Sequence, residues 1–144
     1  MEKQINVYEL KVSLSGDRNI YRILKICGSG TLDELSNLIL WSLNFDGEHL
    51  YYFKTRNDNT YYYGDPDGGE KSANIKIDRL HLEPKQKLSY LYDFGDEWLF
   101  TIAVRKIELT ETYVKPYIVE SKGTVEQYPD FDDEDEFEDD EYEE

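Results

Sequence analysis

The sequence predicts an α+β domain in which one main amphipathic helix packs on a mostly antiparallel β-sheet built largely from hairpins. Three observations carry that expectation. Apolar residues alternate with period two over most of the chain, a single stretch switches to helical spacing, and clusters of Gly, Asn and Asp separate the alternating runs.

The first run, Ile5 to Leu14, sets Tyr8, Leu10, Val12 and Leu14 on one face and Glu9, Lys11 and Ser13 on the other. Ser15 to Asn19 supplies turn residues, and Ile20 to Cys27 resumes as a second strand, so the pair predicts a hairpin. Gly28-Ser29-Gly30 interrupts it. Thr31-Leu32-Asp33-Glu34 matches a capping box, with two acids in the electropositive first turn. Leu32, Leu35, Leu38, Ile39 and Leu43 recur at helical spacing, which predicts a helix over Thr31 to Leu43, ended by Asn44 and Asp46-Gly47.

Glu48 to Thr55 and Thr60 to Tyr63 are aromatic strands around the turn Arg56 to Asn59, and Gly64 to Gly69 is a loop. Ile75 to Leu82 fits a strand or a short helical turn. Lys87 to Phe94 places Leu88, Tyr90, Tyr92 and Phe94 on one face; Gly95-Asp96 turns the chain; Glu97 to Leu109 directs Trp98, Phe100, Ile102 and Val104 inward. Tyr113 to Glu120 reads as the last strand.

Composition bounds the rest. The chain has 144 residues, 32 acids, 16 Lys or Arg, and a formal net charge of −16. Twelve of those acids, and no base, lie from Asp130 to Glu144. The expectation is one domain over 1–128, close to neutral, followed by a disordered acidic tail over 129–144. No apolar run is long enough to span a bilayer, and the N-terminus lacks the apolar core of a signal peptide, which predicts a cytoplasmic protein with no membrane partner. A single cysteine, Cys27, excludes an internal disulfide. Nucleophile-elbow, phosphate-loop and dinucleotide-glycine motifs are absent. No cofactor is implied.

The densest chemistry lies in Tyr90 to Trp98, where Asp93, Asp96 and Glu97 surround a hairpin turn beside aromatic side chains. Such carboxylates can hold a hard cation or supply a general acid; they can equally cap the turn by accepting backbone N–H bonds. His49 opens an aromatic strand and can join them as a base or ligand, or make a structural hydrogen bond. Thirteen tyrosines can line a recognition surface or pair across strands. Arg18, Arg22 and Lys25 on the first hairpin are candidate nucleic-acid contacts, although the acidic balance disfavours that partner.

With those residues in view, the chain resembles a known family. Tyr90 to Ile102 (YLYDFGDEWLFTI), Glu48 to Phe53 (EHLYYF) and the Thr31-Leu-x-x-Leu helix start are similar to the plasmid pRiA4b ORF-3-like family, with its Y-x-Y-D-F-G-D-x-W signature. The likeness covers roughly Val7 to Tyr128, and Pro116 to Pro129 resembles the ending of one branch. It implies an α+β fold and a mobile-element setting, since some members are labelled transposon-passenger proteins; it implies no activity, because the family is uncharacterised. Matched positions are His49, Tyr92, Asp93, Gly95, Asp96 and Trp98. Many members carry a histidine two residues after the tryptophan, where this chain has Phe100, and the P-P-E-D and glycine motif of others is missing.

The leading expectation is therefore a non-enzymatic binding module with an aromatic-lined sheet surface and a protein partner, its candidate cluster being His49, Tyr92, Asp93, Asp96 and Trp98. The alternative is an enzyme or metal-dependent site on the same segment and His49. A weaker one is nucleic-acid binding through the basic hairpin.

Overall fold

Alternation of apolar and polar residues commits each long run to one buried face, and the strands follow it. The computed structural model describes residues 4–55, 59–62 and 72–127. The turn residues 56–58, the glycine-rich loop and the acidic tail lie outside the described residues. In chain order the elements are β1 (Ile5–Leu14), β2 (Asp17–Cys27), α1 (Leu32–Leu43), β3 (Tyr51–Lys54), β4 (Thr60–Tyr62), a 3-10 turn (Ile77–Leu80), β5 (Lys87–Tyr92), β6 (Trp98–Thr110) and β7 (Tyr117–Lys122). The strands form one seven-stranded sheet in the order β4-β3-β5-β6-β1-β2-β7, with every named pairing antiparallel.

The first hairpin is tighter than its turn residues suggest. Gly16 takes φ +95°, Leu14 lies opposite Asp17, and Ser13 opposite Tyr21, so Arg18 to Ile20 bulge out of register instead of extending the turn. A second bulge, between Glu9 and Leu10 on β1, leaves Arg105 as the extra residue on β6. The two hairpins meet at the centre through β1 and β6, whose pairing runs from Ile5 opposite Thr110 to Leu14 opposite Phe100.

Helix α1 starts where the capping box sets it. The Glu34 N–H donates to Thr31 Oγ1 at 3.1 Å, and the Thr31 N–H donates to Glu34 Oε1 at 3.1 Å. Asn44 at φ 62° ends it, a left-handed position that Asn tolerates. Leu32, Leu35, Ile39, Leu40 and Leu43 share one hydrophobic cluster with Tyr8, Leu10, Leu24, Ile26, Phe53, Tyr90 and Ile102. Two polar contacts tie the same elements: Ser36 Oγ shares a hydrogen bond with the Tyr90 hydroxyl, and the Tyr51 hydroxyl donates to Asp33. Burial pushes the Tyr51 and Tyr90 phenols well above their ordinary pKa, and for Tyr51 the Asp33 contact adds to the rise.

Several boundaries differ from expectation. Of the two forms open to Ile75 to Leu82, the structure has the short helical turn, Ile77–Leu80, held by the Ile77 and Asp78 N–H groups on the Gly30 and Gly28 carbonyls. Gly28 is needed there, because an added Cβ would lie 1.9 Å from Asp78 Oδ1. The last strand begins at Tyr117, not Tyr113; the segment before it lies over Cys27, whose Sγ contacts the Val114 backbone at 3.2 and 3.3 Å. Phe94 leaves the inward face assigned to it. Asp93 takes φ 68°, which breaks the alternation one residue early and leaves Phe94 exposed in the turn.

Candidate functional site

The signature segment forms a lock between the β5–β6 turn and the α1–β3 loop. Tyr92 is fully buried, and its hydroxyl donates to the Asp46 carbonyl while accepting the His49 N–H at 3.2 Å. Burial raises the Tyr92 phenol pKa, opposed by the His49 N–H. Asp93 holds the turn: its Oδ1 accepts the N–H groups of Gly95 at 3.1 Å and Asp96 at 3.3 Å. The other oxygen, Oδ2, lies 3.7 Å from His49 Nε2, and Asp46 Oδ1 lies 3.9 Å from the same nitrogen. Gln127 closes the cluster by accepting the Asp46 N–H at 2.7 Å and donating to Asp46 Oδ1 at 3.0 Å.

The structure thus brings together His49, Tyr92 and Asp93 and adds Asp46 and Gln127. Asp96 contributes its backbone N–H to the turn while the residue stays exposed. Trp98 is half-buried edge-on to Phe45, ring centroids 5.0 Å apart, and its buried indole N–H meets no hydrogen-bond partner among the described residues. Every oxygen contact of Asp93 except that to His49 is explained by turn chemistry. Among the described residues no group of three or more His, Cys, Asp or Glu has an arrangement suited to a metal ion.

The basic hairpin does not present one face. Arg22 is 4 % exposed, and its guanidinium donates to the carbonyls of Ser42, Tyr21 and Lys122 at 3.1, 2.9 and 3.0 Å. That burial lowers its pKa. Lys25, three residues on, projects from the opposite face and is engaged by Glu108 at 3.1 Å and Glu9 at 3.8 Å. Only Arg18 stays exposed in the bulge. Period-two geometry separates Arg22 from Lys25, a consequence of the strand itself.

The sequence predicts an aromatic-lined sheet surface without saying which rings face outward; the strand register names them. Strand register places Tyr62, Tyr52, Leu91 and Leu99 side by side across β4, β3, β5 and β6. The Tyr52 ring contacts Tyr62 at 5.7 Å between centroids and Phe94 at 5.9 Å. Tyr62, Phe94 and Leu99 are 46 %, 43 % and 40 % exposed, against a fully buried Phe53 and Tyr90 on the inner face. Alternation within Tyr51-Tyr52-Phe53 was the available signal, since only Tyr52 can point away from the core. The next row down runs Lys54, Ser89, Thr101, Ser13, Tyr21, Lys122, and the one after it Lys87, Ala103, Lys11, Ile23, Glu120.

Among the described residues, a seven-stranded antiparallel sheet with one α-helix defines an α+β protein of mostly sheet character. The chain belongs to the family described as plasmid pRiA4b ORF-3-like protein, which it matches over residues 6–139. No curated protein matches it. Among solved structures it is similar to the crystal structure of a protein of unknown function, MM3350 from Methanosarcina mazei Go1. The two are 24 % identical with a TM-score of 0.61, over 81 % of this chain and 69 % of that one. That likeness concerns the fold alone. No helix among the described residues is long and apolar enough to cross a membrane.

Proposed function

We propose that the protein is a non-enzymatic interaction module that recognises a protein partner with the helix-free face of its sheet. The observation that carries this is the row Tyr62–Tyr52–Leu91–Leu99 with Phe94 beside it, in which Tyr62, Leu99 and Phe94 are exposed and Tyr52 and Leu91 half-buried where the strands could have carried polar side chains. Exposed aromatics grouped on a rigid sheet offer contact area at low entropic cost. In this account α1 packs on the opposite face, supported by the shared hydrophobic cluster and the Ser36–Tyr90 bond, and the signature turn fixes Phe94 at the edge of the row. A mobile-element setting belongs to the same proposal, supported by the plasmid in the family's description, and a cytoplasmic location is proposed with it.

A photo-crosslinking phenylalanine at Leu99, compared with one at the 73 % exposed Trp41 on α1, tests it in cells. Covalent adducts to another protein from position 99 are expected. Adducts from position 41 alone would move the recognition surface to the helix.

One observation favours a second reading, a carboxylate–histidine site: His49 Nε2 stands between the Asp46 and Asp93 carboxylates. Thermal-shift titration with divalent cations decides it. A cation at a hundred times its Kd adds about 2.7 kcal/mol to stability, and that gain should vanish in Asp93→Asn. A flat response to every cation removes the metal-dependent form of this reading.

A further inference from the structure

On the helix-free face, the rows below the aromatic one carry Lys54, Lys122, Lys87 and Lys11 against one acid, Glu120, which accepts the Tyr21 hydroxyl at 2.7 Å. Lys11, Arg18 and Lys87 line a groove of about 1140 Å³ together with Ser13, Thr101, Ala103 and Tyr21, and Asp17 is the one acid in its wall. Lys11 lies over the Tyr21 ring at 4.4 Å. Glu9, by contrast, is already shared by Lys25, Arg105 and Lys106, and Glu108 by Lys25 and Lys106. Lys11, Arg18 and Lys87 have no such carboxylate among the described residues. A chain of net charge −16 therefore carries a net-positive groove beside an aromatic row.

The same chain contains a matching segment. Asp130 to Glu144 holds twelve acids, no base, and the three aromatics Phe131, Phe137 and Tyr142. Acids suit the groove and rings suit the row. We propose that the groove and the aromatic row of the helix-free face are the docking site for an acidic, aromatic-bearing peptide segment, and that residues 130–144 of this chain occupy it in cis. This rests on that face being the recognition surface, with the acidic segment competing there against the partner.

Reach permits it. Gln127 is anchored to Asp46, and the seventeen residues after it extend to about 60 Å at full stretch, well beyond the roughly 14 Å radius of gyration of a domain this size. Coulombic attraction across water-exposed charges is screened within about 10 Å at 0.1 M salt and about 3 Å at 1 M. Docking is therefore salt-sensitive.

The test uses the full chain with Glu143→Cys carrying a nitroxide label; the native Cys27 is buried. Amide signals of Lys11, Thr101, Ala103 and Leu99 are expected to be lost at low salt, those of Leu38 and Trp41 retained, and the lost signals restored at 1 M salt. Lys11→Gln with Lys87→Gln should restore them at low salt, and the salt arm stands if that variant fails to fold. Attenuation that is absent, evenly spread, or concentrated on α1 overturns the proposal. Attenuation appearing only when nitrogen-labelled and spin-labelled chains are mixed assigns the site to a second copy's segment and overturns the cis assignment. Adducts from Leu99 without this attenuation would leave the recognition surface standing and remove only its acidic occupant.

Discussion

Asp93 gives the sharpest test of whether the signature turn is structural. Its backbone sits at φ 68°, its residue is 7 % exposed, and its carboxylate accepts two backbone N–H bonds. Three substitutions separate these roles. Asn tolerates the left-handed region and keeps a carbonyl oxygen for both donors, so Asp93→Asn loses only charge assistance, about 1 kcal/mol. Gly keeps the backbone conformation and loses both acceptors, which costs about 2 to 3 kcal/mol including its larger unfolded-state entropy. Ala loses the acceptors and also strains the backbone by about 1 to 2 kcal/mol, for a total of about 3 to 4 kcal/mol. Urea unfolding followed by tryptophan fluorescence measures the series, and the predicted order of stability is Asn above Gly above Ala. An Ala variant as stable as the Asn variant would refute the reasoning, because neither cap nor backbone strain would then matter.

Other consequences are quick to check. Arg22→Met, measured by the same unfolding curves, should lose about 3 kcal/mol or more, since three backbone carbonyls lose their charged donor. Thr31→Ala should cost about 1 kcal/mol by removing the helix cap, seen as a lower urea midpoint with unchanged slope. Stability should also fall at alkaline pH. The phenols of Tyr8, Tyr51, Tyr90 and Tyr92 have folded pKa values above the ordinary value near 10, so the unfolded chain releases their protons first. Their contribution is full below pH 10 and is lost as pH rises from there toward the folded values, with a slope of up to about 1.4 kcal/mol per pH unit for each phenol. Circular dichroism across pH 9 to 12 reads this, and Tyr90→Phe should flatten the fall.

Local chemistry made much of the fold legible. The capping box placed the start of α1 because its two reciprocal hydrogen bonds need only residues three apart. Alternation likewise identified both hairpins and most inward side chains. What alternation cannot carry is a residue whose backbone departs from extended geometry, and the left-handed Asp93 turned Phe94 from core to surface. Nor can local pattern reveal the β1–β6 pairing, which joins residues up to about a hundred positions apart and also brings Arg105 and Lys106 to Glu9. Of the candidate cluster, His49, Tyr92 and Asp93 converge in space, whereas Asp46 and Gln127 were hidden because they arrive from a helix end and the segment after the last strand. An aromatic-lined surface was expected, but not which rings form it, because tyrosine looks the same in a sequence on either face of a strand.

The central claim is that the row containing Tyr52, Phe94 and Leu99 recognises a protein partner. Crosslinking yield from position 99, with and without Phe94→Ala, tests it most directly. Phe94 is exposed, so its truncation should leave the urea midpoint unchanged while the adduct to the partner disappears. An adduct that survives the substitution at full yield, or no adduct with any other protein, would contradict the account.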